Sequence, residues 1–381
     1  MAENMKITYV LNSTDSVGGA TKSFLSMLRG IMVQGHHTMV VVPDRQGIFR
    51  ELCDMGCEVV VLNYRPNIYP RHRCLKEYLL WVPRLLFQQS LNVIATHKLT
   101  SLIKEYQPDI VHTNVSVIDI GRRSAKVLGI PHVYHFREYG DLDFAMRYIP
   151  SKCAFMKTVE YSICITSGIQ KHHVLDASHA SRVIYNPVSH EGTCFPDSMP
   201  GKYLLYAGRL EPTKGLGQLL EAYAHSRISM PLWVAGGEGN GEYARKLKQM
   251  VKKLGIEDHV LFLGVRTDIL HLMRNARALV VPSFFEAFGR CAAEAMLQGC
   301  LVVGRDTAGT REQFENGLRE TGNEIGLRFS TEQELIACLQ RLEEGEDFHD
   351  MRKRAFEVAN RLYTVETNVK LVLDFYNDIL K

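Results

Sequence analysis

The chain has 381 residues, more than one hydrophobic core usually supports, so two domains are the starting expectation. A hydrophobic content of 46% with 23% charged residues excludes disordered and fibrous classes. The 45 basic and 42 acidic residues leave a net charge of +3, short of the concentrated positive charge that phosphate contacts to nucleic acid require.

Nine irregularly spaced cysteines point to reduced thiols rather than a disulfide framework. The opening "MAENMKITYVLNS" has no basic segment leading into a long apolar one, so a cytoplasmic protein is expected. Short β-branched runs then alternate with helical patterns, the signature of βα units and a parallel sheet. In the first half the predicted strands lie in "KITYVLNS", "TMVVVPD", "EVVVLNY", "DIVHTN", "HVYHF", "SICITS" and "RVIYNPV". Between the third and fourth, residues 65–104 are rich in Arg and Lys and carry one acid, Glu77. Within them "YLLWVPRLLFQQSLNVIA" is interrupted by Pro83 and Arg84 and falls short of the ~18 consecutive apolar residues of a membrane span. Two readings stay open for this segment: peripheral contact with anionic lipid through its basic and apolar residues, or a solvated helix pair packed on the domain.

Turn formers accumulate in "NPVSHEGTCFPDSMPGK", which marks the break between halves. The predicted strands of the second half lie in "KYLLYAGRL", "PLWVAGG", "HVLFLG", "ALVVPS", "LVVGRD" and "GLRFS". The expected architecture is α/β, with two open Rossmann-like domains spanning 1–187 and 188–363. The last segment, 364–381, has apolar residues at helical spacing.

In open α/β sheets ligands bind beyond the carboxyl ends of strands, so the residues that follow the apolar runs carry the information. After the first strand, Gly18 and Gly19 precede a predicted helix whose free N–H groups suit a phosphate or a hydroxyl. The stretch lacks the G-x-G-x-x-G pattern, which counts against a dinucleotide dehydrogenase. In "YAGRLEPTKGLGQLL", Gly208 is followed by Arg209 and Lys214 around a turn that feeds a helix. Two cations five residues apart can meet the two phosphates of a diphosphate, and they would also stabilise its charge as it leaves. In "VAGGEGNGEY", Gly236, Gly237 and Gly239 permit close backbone approach, while Glu238 either caps the next helix or faces a ligand. In "ALVVPSFFEAFGRCAAEAM", Glu286 sits in a loop and Glu294 in the early turns of a helix starting near Gly289 or Arg290. Acids at a helix start are favoured by the dipole alone. They also suit paired sugar hydroxyls, with the Phe288 and Gly289 amides available to phosphate.

Together these residues resemble the retaining glycosyltransferases of family 4, which have the GT-B fold. "GRLEPTKG" resembles that family's G-R-L-x-x-x-K-G segment, and "PSFFEAFGRCAAEAMLQGCLVV" resembles its P-S-x-x-E-x-F-G-x-x-x-x-E-A-M-x-x-G-x-P-V-V, with Glu286 and Glu294 on its E-x7-E pair. Leu301 departs from the proline usual at its position. The resemblance implies parallel sheets facing a central cleft and a C-terminal helix, 364–381, that crosses back to the N-terminal domain. It also implies a nucleotide diphosphate sugar as donor, with no cofactor and no metal. Arg209 and Lys214 would meet the donor diphosphate, Glu286 the transferred sugar and Glu294 the ribose. Gly18, Gly19, Gly208, Gly237, Phe288 and Gly289 would line the donor site. In "PHVYHFREYG", His135 matches the family's pocket histidine and is expected just past a strand end near the reacting centre, with His132 structural. Arg137, Glu138 and Asp141 are acceptor-side candidates. The acceptor would be a glycan or lipid-linked molecule at the inner face of the cell membrane, in surface polysaccharide or glycolipid assembly. Two other functions remain: a non-hydrolysing nucleotide-sugar epimerase, which needs no acceptor, and a catalytically silent nucleotide-sugar-binding module.

Overall fold

The computed structural model describes residues 4–16, 18–70, 79–175, 180–188, 194–196, 201–239 and 241–381. The chain divides into two compact units, Met1–Pro187 with Val365–Lys381, and Val188–Thr364.

The first unit is built on seven strands: β1 Lys6–Val10, β2 His37–Val42, β3 Glu58–Val61, β4 Ile110–Thr113, β5 His132–Phe136, β6 Tyr161–Cys164 and β7 Ser181–Val183. All pair in parallel, in the order β3-β2-β1-β4-β5-β6-β7. The β-branched runs extend because both faces of the sheet are covered: β4 and β5 are buried at every residue. One covering layer pairs the helix Gly19–Val33 with the C-terminal helix Val365–Leu380. A Cβ at Gly30 would fall 2.5 Å from Val369 Cγ2, so glycine is what lets these two helices meet. Val369, Val372, Phe375 and Tyr376 then share a core cluster with Phe24, Met27, Leu28 and Ile31.

The second unit has six strands: β8 Leu204–Ala207, β9 Leu232–Ala235, β10 Val260–Gly264, β11 Ala278–Val281, β12 Leu301–Arg305 and β13 Leu327–Phe329. These are again parallel, in the order β10-β9-β8-β11-β12-β13. Each of the thirteen strands coincides with a run read from the sequence, β2, β6 and β7 beginning one residue before it. In both sheets the order reverses beside the first strand, between β1 and β4 and between β8 and β11. Successive connections there turn to opposite faces of the sheet and leave a crevice at the strand ends, the usual ligand position in this topology.

In the basic segment, a helix runs from Trp81 to Tyr106, with Pro83 in its first turn where the missing N–H costs nothing. Residues 71–78, part of that segment, lie outside the described residues. No helix among the described residues is long and apolar enough to cross a membrane.

Candidate active site

The strongest concentration of chemistry lies where β8 and β11 diverge. After β8 the chain passes through Gly208 and Arg209 into a tight turn, Pro212–Lys214, and then Gly215 opens the helix Leu216–Ser226. Gly215 has φ +71°, and a Cβ there would lie 2.1 Å from the Pro282 carbonyl oxygen. Only glycine lets this turn cross the loop that follows β11. The Phe284 amide donates to the Thr213 carbonyl at 3.0 Å and fastens the crossing. Lys214 Nζ thereby reaches Glu286 Oε1 at 2.6 Å, with side chains 22% and 12% exposed. Tyr206, Gly208, Pro282, Ser283 and Cys291 complete the walls of a small depression around this pair. Burial, reinforced by Glu286, pushes the Cys291 thiol up to about 12, so it is a poor nucleophile.

A third strand end closes on the same place. The Gly208 amide donates to the Ala235 carbonyl and the Leu210 amide to Gly237, both at 3.0 Å. A Cβ on Gly236 would lie 1.8 Å from the Gly208 oxygen, so this glycine sets how closely the two loops approach. The two predicted cations fare differently. Lys214 is largely enclosed beside a carboxylate, whereas Arg209 is 59% exposed and pairs with Glu211 at 3.2 Å.

The loop from Phe284 to Gly289 is shaped from behind by the helix Ala308–Thr321. The Gly309 amide donates to the Glu286 carbonyl at 2.8 Å. Gln313 Nε2 donates to the carbonyls of Phe288 at 2.6 Å and Gly289 at 3.1 Å. Gly289, at φ +82°, turns the chain into the helix Arg290–Leu297, and Phe288 is buried against Tyr363. Glu294 accepts from Arg290 Nε at 2.8 Å, one helical turn away. Sequence reasoning missed Gln313, Gly309 and Arg290. Arg290 was readable as the i, i+4 partner of Glu294, and Gly309 as another glycine after a strand end. Gln313 carried no local signal, because its partners are 25 and 24 residues away.

The first unit corrects several placements. His135 does not follow the strand end; it is the fourth of five residues of β5 and is fully buried. The β run extends through Phe136, one residue further than a strand-end histidine requires. His132 is also buried, with its Nε2 2.8 Å from Thr113 Oγ1. Arg137 and Glu138 were expected on the acceptor side, but both are more than nine-tenths buried and engaged internally. Arg137 donates to Asn114 Oδ1 at 3.0 Å and to Asn186 Oδ1. Glu138 accepts from the Ser116 amide at 3.1 Å and the Ser116 hydroxyl at 2.8 Å. Burial raises the Glu138 carboxyl to about 7 against the pull of those hydrogen bonds. Asp141 is the one of the three at the surface. Its slight burial acts upward, but hydrogen bonds from His172 and Lys152 outweigh it and hold its carboxyl near 2. Gly18 caps the helix Gly19–Val33, and a Cβ on Gly19 would meet nothing within 4 Å. That helix start is therefore open, and packing alone does not demand its second glycine.

Comparison with known proteins follows the same division of the chain. Residues 17–191 match the family model described as Glycosyltransferase Family 4, and residues 197–359 match the one described as Glycosyl transferases group 1. An uncharacterized glycosyltransferase of Bacillus subtilis, YqgM, is 31% identical over 153 residues, covering 39% of this chain and 43% of that protein. The lipopolysaccharide core biosynthesis mannosyltransferase LpsB of Rhizobium meliloti is 30% identical over 126 residues, covering 32% and 36%. In each case the match spans less than half of the relative's length. Among solved structures, Anabaena HepE in complex with UDP aligns with a TM-score of 0.77 at 20% identity, over 98% of this chain and 100% of that one. The same protein with UDP-glucose gives 0.75 at 20% identity, over the same shares. Likeness at this identity speaks for the fold.

Proposed function

The chain belongs to the family 4 glycosyltransferases of GT-B fold, and from that premise we propose that it moves a sugar from a nucleoside diphosphate sugar to an acceptor hydroxyl with retention at the anomeric carbon. The observation that carries this reading is the Lys214–Glu286 pair at the β8/β11 divergence, a cation for phosphate beside an acceptor for sugar hydroxyls. The binding of UDP and UDP-glucose by HepE supports a nucleotide-sugar donor here.

In this mechanism Lys214 exchanges Glu286 for the donor diphosphate, and Arg209 swings from Glu211 to assist. Glu286 then accepts from hydroxyls of the transferred sugar and Glu294 from those of the ribose. As the bond from the anomeric carbon to the diphosphate breaks, negative charge grows on the leaving oxygen, where the cations lower the barrier. The acceptor oxygen bonds to the anomeric carbon from the same face, and its proton passes to the departing phosphate oxygen. Lys214 and Arg209 supply the charge that a divalent ion supplies elsewhere, so chelators should leave the rate unchanged.

The acceptor is proposed to be a glycan or lipid-linked molecule at the inner membrane face, in line with the lipopolysaccharide role of LpsB. The helix Trp81–Tyr106 exposes Val82, Leu86, Phe87, Val93 and Ile94, an apolar face suited to a lipid surface. Flotation of the protein with anionic vesicles tests that contact, and Phe87→Asp should weaken it. The catalytic reading is tested by following anomeric protons while the protein is incubated with a panel of nucleotide sugars and glycan acceptors. A new glycosidic signal with the donor's own anomeric configuration supports it. An inverted product, or a donor that is epimerised with no acceptor present, overturns it.

A further inference from the structure

Behind the candidate pocket histidine runs a buried chain of polar groups that joins three strands to the C-terminal helix. Tyr9 Oη lies 3.4 Å from Tyr376 Oη, which lies 2.6 Å from His112 Nδ1. His112 Nε2 lies 3.2 Å from His135 Nδ1, and Arg137 Nη2 approaches that same nitrogen at 3.4 Å. Every member is at least nine-tenths buried. His135 Nε2 ends the chain, buried and with no hydrogen-bond partner among the described residues.

The direction of this chain is decided by one group. A tyrosine hydroxyl and a neutral imidazole can each donate or accept, but a guanidinium only donates. Arg137 facing His135 Nδ1 therefore makes that nitrogen an acceptor, and the proton of His135 must sit on Nε2. His112 Nε2 shares the same lone pair and must donate to it, and the length of both contacts fits a shared acceptor. His112 Nδ1 is then bare and accepts from Tyr376, whose oxygen in turn accepts from Tyr9. Reversing the His112–His135 link would set an N–H against the guanidinium, and reversing either tyrosine link would leave two lone pairs facing each other.

We propose that Arg137 is a positioning residue that fixes the His135 proton on Nε2, so that this imidazole meets a substrate oxygen as a neutral hydrogen-bond donor and takes no proton from it. The proposal rests on the reading of His135 as a substrate-contacting group. A buried N–H without a partner is costly, and a substrate oxygen that reached it would relieve that cost. Burial, followed by the nearby charges of Arg137 and His112, holds the His135 imidazole well below its ordinary value, so it stays neutral at physiological pH.

The test is the tautomer itself, read by two-bond proton–nitrogen correlation on protein labelled with 15N-histidine and assigned by loss of signal in His135→Gln and His112→Gln. His135 and His112 should both be protonated on Nε2 alone at neutral pH. Finding His135 protonated on Nδ1, or on both nitrogens, overturns the proposal. Arg137→Met should give a mixture of His135 tautomers, while Arg137→Lys, which keeps an obligatory donor, should preserve the wild-type form; an unchanged tautomer in Arg137→Met removes Arg137 from the role. His135→Gln, which keeps an N–H near Nε2 but no basic nitrogen, should retain transfer within about tenfold, against a loss of about 100-fold in His135→Leu. Equal losses in the two would contradict the donor role. Absence of transfer by the wild-type chain would sink the functional reading alone, since the tautomer measurement needs no turnover.

Discussion

Replacing Lys214 with methionine separates what this side chain does for the fold from what it does for a ligand. The Nζ–Oε1 distance of 2.6 Å corresponds to a gross attraction of about 6 kcal/mol at an effective dielectric constant of about 20. Most of that is offset by the hydration both groups give up, leaving the ~1.5–3 kcal/mol of a charge-assisted hydrogen bond. Lys214→Met also strands Glu286, whose side chain is only 12% exposed, so a destabilisation of about 2 kcal/mol is expected, or roughly 4–8 °C in Tm. For transfer, removing a cation from a departing diphosphate is expected to cost about 3–4 kcal/mol, a loss of roughly 100- to 1,000-fold in kcat/KM. Thermal unfolding and initial rates measure the two effects on one preparation. Lys214→Met/Glu286→Gln should recover much of the stability, because no unpaired carboxylate remains, and stay inactive. A single variant that unfolds early yet turns over within threefold of wild type would show that the pair serves the fold alone.

Four further outcomes follow from the same geometry. Gln313→Leu removes the donor to the Phe288 and Gly289 carbonyls, which should cost about 1–3 kcal/mol, speed amide exchange between Phe284 and Gly289, and lower kcat/KM for the donor. Gly19→Ala places a Cβ in open space at a helix start and should leave stability equal or higher, so a fall in transfer would mark this glycine as a site of close ligand approach; Gly236→Ala, with its 1.8 Å clash against Gly208, should lower both stability and activity. Glu138 has a folded value of about 7, above its unfolded ~4.3, so the folded state holds the extra proton. Its contribution is full below about pH 4.3 and lost as pH rises through 7, so urea unfolding at pH 5 and pH 8 should show Glu138→Gln gaining about 2.5 kcal/mol relative to wild type across that interval.

The strands were legible because burial on both faces demands uninterrupted β-branched runs, and runs such as "MVVV" and "ALVV" have no competing helical period. The loops of the second unit were nearly as legible. Gly208, Gly215, Gly236 and Gly289 stand at strand ends or helix starts, and the structure shows close backbone approach or positive φ at three of them. What remained hidden was direction. Nothing in "PHVYHFREYG" states that His135, Arg137 and Glu138 turn inward, because their partners His112, Asn186 and Ser116 come from distant segments. For the same reason Gln313 was invisible, and Arg209 read as the equal of Lys214.

Composition, periodicity and glycine placement thus determined two parallel α/β units and the loops in which chemistry would gather, because those properties depend on local backbone demands. Tertiary structure alone decided which charges are shielded and which way the protons point. Lys214 is enclosed because β8 and β11 are neighbours in the sheet although their loops lie some 70 residues apart in the chain, and His135 is a directed donor because Arg137 and His112, the latter held by Tyr376 of the C-terminal helix, meet its Nδ1 from behind.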